Sequence, residues 1–230
     1  MLFGGTTAPS PGTRLCDTWS YDGAAWTTHD RASCPTDRVR SSSLVYDGRR
    51  GHLLLLDGPA IGDDELRPLR LWRWTGETWA LVDDRGPRRA GFSQAAFDPR
   101  RGLLVVPVLY GGPDAGVWEW DGRAWIHHRA AGPLGRQTYA LAWDSRRERL
   151  VLMGGQGGSR GPFLSDGWIW NGQQWLEDAE ASAPGTPGRG GGALLDDARG
   201  HRLLYFGGYA EQVLADFWAF DGGGWRALTR

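Results

Sequence analysis

Four arginines stand where each could enter a strand: Arg38, Arg89, Arg136 and Arg189 follow Pro35, Pro87, Pro133 and Pro187 by two or three residues. A guanidinium is a planar, permanently charged fork that binds a carboxylate through two parallel hydrogen bonds. Placed at equivalent points, these forks would ring one end of the molecule and could engage an acidic peptide or an anionic glycan. The same repetition is what an architectural role produces, with each arginine bonding loop carbonyls or a neighbouring acid. Asp63, Asp64 and Glu65 form an acidic run that could recruit Ca²⁺ but lacks a defined ligand spacing. Asp47, Asp98, Asp144 and Asp196 each close a short apolar stretch ahead of an Arg/Gly-rich turn. An active site needs asymmetry, so acids repeated in this way read as turn formers. His29, His52, His127, His128 and His201 fall at different phases of the sequence and do not converge. No metal site, no cofactor and no catalytic residue is therefore expected, and the chain leans away from being an enzyme.

The elements that must position these residues recur. An aromatic, one residue, a second aromatic, Asp-Gly or a close stand-in, and then a tryptophan occur five times, ending at Trp26, Trp79, Trp125, Trp175 and Trp225. The intervals are 53, 46, 50 and 50 residues, and a period near fifty is the mark of a repeat architecture. Each unit contains an alternating stretch ending on Asp, a continuous apolar run such as Leu53 to Leu56 or Leu150 to Met153, the paired aromatics, and the final tryptophan. In four units the apolar run ends in paired glycines: Gly4-Gly5, Gly111-Gly112, Gly154-Gly155 and Gly207-Gly208. Short apolar runs bounded by Gly and Asp read as strands buried on both faces. Aromatics at i and i+2 share a face, and Asp-Gly or Asn-Gly turns the chain back as a hairpin.

Four antiparallel strands with two buried faces, repeated every fifty residues, make a blade of a β-propeller. The fold class predicted is all-β: a five-bladed propeller of four-stranded blades forming one domain. The blades fall near 1–34, 35–86, 87–132, 133–183 and 184–230. Because Leu2-Phe3-Gly4-Gly5 already reads as a second strand, the first blade is expected to lack its inner strand. This is either a ring of five or a piece of a larger propeller.

The double glycines, the aromatic beyond them, the fourth-strand tryptophan and the Pro-x-Arg or Pro-x-x-Arg entry resemble kelch repeats and propellers of the galactose-oxidase type. The resemblance runs through essentially the whole chain. It implies that a carboxy-terminal segment often supplies the first blade's inner strand. Galactose oxidase also needs a converging Tyr/His copper site with a Cys–Tyr crosslink, and nothing in this sequence supplies that set. The resemblance implies a kelch-like module that binds a protein or peptide through its variable loops at 6–15, 59–69, 113–116, 156–165 and 209–215. Such polar loops on a rigid scaffold are where recognition usually sits, and Arg160 and Tyr209 join the candidate set there. The alternatives are a carbohydrate-active or lyase-type enzyme with its site in the central funnel, or a scaffold segment of a larger protein.

Composition narrows the partners. The formal charge is −1, with 26 basic and 27 acidic side chains, and offers no basic surface for nucleic acid or an anionic membrane. Every basic residue is arginine, as a GC-rich, bacterial type of genome would encode. No apolar run is long enough to span a bilayer. The amino terminus lacks the charged and apolar regions of a signal peptide, so the literal reading is cytoplasmic. Cys16 and Cys34 flank the first hairpin and either bridge or stand as small unpaired residues. If they bridge in a fragment of a longer chain, the reading becomes export.

Overall fold

The computed structural model describes residues 1–7, 14–29, 34–35, 42–57, 67–88, 94–110, 113–133, 135–158, 160–182 and 188–228. Among the described residues nineteen strands form five antiparallel sheets, each a blade, and the fold is an all-β propeller type. The first sheet has three strands, β1 (Leu2–Thr6), β2 (Arg14–Tyr21) and β3 (Trp26–Thr28). The second holds β4 (Ser43–Asp47), β5 (His52–Asp57), β6 (Arg70–Trp74) and β7 (Trp79–Asp83). The third holds β8 (Ala96–Asp98), β9 (Leu103–Val108), β10 (Gly116–Trp120) and β11 (Trp125–His128). The fourth comprises β12 (Ala140–Asp144), β13 (Arg149–Gln156), β14 (Phe163–Trp170) and β15 (Trp175–Glu177). The fifth comprises β16 (Ala193–Asp197), β17 (Arg202–Tyr209), β18 (Val213–Phe220) and β19 (Trp225–Ala227). Within each sheet the strands lie in chain order. Among the described residues the one helical element is a 3₁₀ turn at Ala179–Ala181.

The chain divides into two compact units, Met1–Phe92 with Gly112–Asp114, and Ser93–Gly111 with Ala115–Arg230. In the first unit the Phe3 ring lies 5.7 Å from Trp79, whose indole N–H donates to Thr18 Oγ1 at 2.9 Å. In the second unit, two apolar clusters glue three sheets together. One joins Val105 and Val117 to Tyr139, Leu150 and Trp170; the other joins Val151 and Met153 to Leu194, Leu203 and Phe220. Both faces of the fourth sheet are thereby buried, which is why its second strand reads as an unbroken apolar run.

The periodic aromatic motif has a simple geometric cause. Tyr21 and Trp26, Trp74 and Trp79, Trp120 and Trp125, Trp170 and Trp175, and Phe220 and Trp225 are directly opposite each other across a hairpin. Their ring centroids are 5.1 to 5.4 Å apart. The first loop residue, as at Asp121 and Asn171, caps the backbone N–H groups two and three positions on.

Turn acids behave as expected, with one displacement. Asp47, Asp98 and Asp144 each accept from the two backbone N–H groups at i+2 and i+3 through Oδ1, and hold the arginine at i+3 through Oδ2. In the fifth sheet Asp197 performs this role, capping Gly200 and holding Arg202. Asp196, expected there from the sequence, instead accepts from the backbone and hydroxyl of Ser145 on the fourth sheet, because β16 runs one residue further than its apolar pattern.

The paired glycines do not end the second strand. β13 and β17 continue through them to Gln156 and Tyr209, with a bulge where Met153/Gly155 and Phe206/Gly208 shift register. Gly154 has φ +62°, and a Cβ there would come within van der Waals overlap of the Arg189 carbonyl, so only glycine fits.

Candidate functional site

The loop-bearing end of the second unit gathers three of the candidate residues and displays a fourth. Arg136 and Arg189 enter from the segments leading into β12 and β16, and both are buried. Arg136 is fully buried, with its fork on Asp166 at 2.7 and 2.8 Å and one nitrogen also on the Gly154 carbonyl at 3.0 Å. Arg189 meets Asp216 at 2.7 and 2.9 Å and the Gly207 carbonyl at 3.4 Å. Each acid also accepts the indole N–H of the tryptophan two residues on, Trp168 at 2.6 Å and Trp218 at 2.7 Å.

Burial pushes the Asp166 and Asp216 carboxyls up. The hydrogen bonds from the arginine and the indole outweigh that and hold both below the usual carboxylate range. Tyr205, packed 5.7 Å beneath the Arg189 guanidinium, is pushed up to about 12 by desolvation. The two guanidinium forks are thus engaged by acids of their own blades. Among the described residues they do not point at open solvent as a ligand-binding ring would.

Related pairs occur in the other sheets. Arg70 on β6 grips Asp57 on β5 through two nitrogens, and Trp72 donates to the same carboxylate. Arg88, next to the expected Arg89, binds Asp114 through its backbone and guanidinium. Arg38, Arg89, Asp63, Asp64 and Glu65 lie outside the described residues.

Above the two buried pairs is an apolar, aromatic surface. Tyr209, 49% exposed, packs edge-on against Phe163 with centroids 5.5 Å apart. Val213, directly opposite Tyr209 at the end of its hairpin, is 80% exposed. Tyr110 lies beside Gly158 in the neighbouring loop, and Arg160 is exposed at that loop's tip. The loop is held by Gln137 and Gln156 side chains, which donate to the Gly158 and Gly161 carbonyls.

At the opposite, turn-bearing end, the structure assembles a cluster that the sequence reading missed. Glu119, between the two tryptophans of β10, is 2% exposed. It receives Arg101 at 2.7 Å, His128 at 3.0 Å and the Trp170 indole at 2.8 Å. Arg101 also holds Asp98, at 2.6 Å; burial works against its charge, but the two acids raise its pKa. Asp98, Arg101 and Trp170, with Trp143 and Leu176, line an open cavity of about 590 Å³. The corresponding positions in the other motifs are Ser20, Arg73, Ile169 and Ala219, so an acid there was the available signal. Each Glu119 oxygen already accepts from a fixed donor. The geometry is that of a brace between the third and fourth sheets rather than of a poised general base, which needs a free lone pair. Among the described residues no group of three or more His, Cys, Asp or Glu side chains is placed to hold a metal ion.

Cys16 and Cys34 form a disulfide with Cα atoms 5.5 Å apart, settling the alternative left open by the sequence. No helix among the described residues is long and apolar enough to cross a membrane.

No family model matches the chain, and no curated protein matches it in sequence. Among solved structures, that of YjhT superposes with a TM-score of 0.63 at 14% identity, covering 99% of this chain and 80% of that one. A fungal alcohol oxidase of the AA5 family, in complex with copper, gives 0.48 at 12% identity over 82% of this chain and 52% of that one. Pyrococcus horikoshii acylaminoacyl peptidase gives 0.41 at 13% identity, covering 89% and 30%. The likeness to YjhT is one of fold alone, and the two lower scores carry no argument about this chain.

Proposed function

We propose that this chain is a non-catalytic, kelch-like binding module whose partner is a polypeptide, engaged at the loop-bearing end of the second unit. The observation that carries this reading is the apolar and aromatic surface made by exposed Tyr209 and Val213 with the half-buried Phe163 beneath Tyr209. It is seated on a base made rigid by the Arg136–Asp166 and Arg189–Asp216 pairs. Exposed aromatic and aliphatic side chains on a stiff base are the usual anchors of a protein interface, since little side-chain entropy is lost when they are covered. Arg160 at the rim supplies a cation for an acidic residue of the partner, while the buried arginines act as supports for the surface. The two acids remain partly exposed, at 30% and 31%, so an excess of negative charge on the partner is not required.

The test is selection of binders from a random peptide library displayed on phage, followed by affinity measurements on the intact chain and its variants. Peptides enriched in apolar and aromatic residues are expected. Tyr209→Ala combined with Val213→Ser should weaken them at least tenfold, and Arg123→Ala on the far hairpin of the third sheet should leave them unchanged. Selected peptides that ignore the Tyr209/Val213 change, and lose affinity when Trp143 beside the Glu119 cavity is altered, would refute the reading.

A further inference from the structure

We propose that Asn171 is a deamidation site, at which the folded hairpin promotes its own conversion to aspartate. The modification is independent of the loop-end surface and needs no co-reactant but water.

Asn171 is the one asparagine in the chain, and Gly172 follows it. The two open the hairpin between β14 and β15, at the turn position that Asp22, Thr75, Asp121 and Asp221 hold in the other four sheets. Glycine is required after Asn171 for two reasons. Gly172 adopts φ +97°, and the Arg101 guanidinium lies where a side chain would be, with Nη1 2.8 Å from the position of a Cβ. The peptide nitrogen after Asn171 is therefore unshielded by any side chain of its own residue. Its N–H donates no hydrogen bond among the described residues, and Asn171 is exposed to water.

The reaction closes a ring. The Gly172 nitrogen bonds to Asn171 Cγ, and its proton is taken up by the departing amide, which leaves as ammonia. Water then opens the succinimide at one of its two carbonyls. Aspartate results when the original main chain is restored, and isoaspartate when the chain runs through the side-chain carboxyl. Negative charge develops on Asn171 Oδ1 as the ring closes. That oxygen already accepts the Gln173 and Gln174 backbone N–H groups, each at 2.9 Å. Two fixed N–H donors on the oxygen that gains charge are the arrangement of an oxyanion hole. An unfolded chain of the same sequence holds no such pair in place.

The hairpin accommodates one product and is strained by the other. Asp22 and Asp121 receive the same two N–H groups at 2.7 to 2.8 Å, so an aspartate at position 171 keeps the cap. It also adds a negative charge to the open cavity that Asn171 lines with Arg100, Arg101 and Arg149. Isoaspartate lengthens the main chain by a methylene inside the turn. That turn sets the register of Trp170 against Trp175, whose rings lie 5.4 Å apart in the apolar cluster joining the third and fourth sheets.

The experiment incubates the full chain at mildly alkaline pH, where the attacking N–H loses its proton more readily, beside a synthetic peptide of residues 166–177. Peptide mapping by mass spectrometry should show a gain of one mass unit at Asn171, with one equivalent of ammonia released per chain. The rate in the folded chain should exceed that in the peptide at least threefold. The same chain unfolded in urea should fall back to the peptide's rate, a comparison that needs no variant. Asn171→Asp should keep the wild-type urea midpoint, and the fraction of aged protein carrying isoaspartate should unfold at lower urea. Three outcomes would overturn the proposal: a folded rate equal to or below the peptide's, a mass gain at Gln173 or Gln174 in place of Asn171, or a lower urea midpoint for Asn171→Asp.

Discussion

Removing either partner of the Arg136–Asp166 pair breaks the same ion pair, yet the two losses differ in size. Arg136 is fully buried, whereas the Asp166 side chain is 30% exposed. Asp166→Ala leaves a guanidinium charge in the protein interior, where the Gly154 carbonyl cannot neutralise it, and takes the acceptor from Trp168. Stranding a buried charge costs about 3–5 kcal/mol. Arg136→Met removes the buried charge altogether, fills similar volume, and leaves a carboxylate that water can reach and that still accepts the Trp168 N–H. Its cost should be about 1.5–3 kcal/mol, that of one charged hydrogen bond. In a domain of this size each kcal/mol lowers the melting temperature by about 2–4 °C, so about 6–20 °C is expected for the aspartate change and about 3–12 °C for the arginine change.

Urea titration of both single variants and the double variant, followed by near-ultraviolet circular dichroism, gives the asymmetry and the coupling. The double variant should resemble Arg136→Met. Acid provides a second axis, because Asp166 is held below its ordinary carboxyl value near 3.8. A depressed folded pKa adds stability above the unfolded value and loses it as pH falls through the folded one. The gap between wild type and Asp166→Asn should therefore be full near neutrality and close as pH falls below 3.8 through the depressed folded value. Arg136→Met matching or exceeding Asp166→Ala in cost would refute the reasoning, since the buried charge would then not be what the acid is for.

Two further outcomes follow from features outside that pair. Cys16 and Cys34 close a loop of 18 residues, so reduction or a Cys16→Ser/Cys34→Ser variant should lower stability by about 3 kcal/mol, read as a lower urea midpoint. Tyr205 is buried and its pKa is pushed up to about 12 from an ordinary 10. Its contribution is complete below pH 10 and lost as pH rises through 12, and alkaline denaturation of Tyr205→Phe should show a smaller fall across that window.

The strands and their grouping were legible because they rest on local pattern. Aromatics at i and i+2 followed by an Asp-Gly turn dictate a hairpin whatever surrounds it, and five copies in register dictate the sheet. What the patterns did not carry was distance. The sequence reading treated Gly154-Gly155 as the end of a strand, whereas the clash that demands glycine at Gly154 comes from the Arg189 carbonyl, 35 residues away by position. The same limit hid Glu119: its partners Arg101, His128 and Trp170 come from the β8–β9 turn, β11 and β14, and only the packing of the third sheet on the fourth brings Trp170 to it. Asp166 and Asp216 were invisible as arginine partners for a related reason. Each lies about thirty residues from its arginine, and nothing in the spacing distinguishes it from other surface acids.

The Arg136–Asp166 and Arg189–Asp216 pairs each close within one blade. A tandem duplication of one fifty-residue segment therefore copies both halves of the latch at once, and the new blade arrives with its charge already balanced. The Glu119 cluster has the opposite inheritance: it is divided between neighbours and is broken whenever one of them is copied or deleted alone. The Glu119 cluster thus ties the inheritance of the third and fourth sheets together, a constraint that the two latches do not themselves impose.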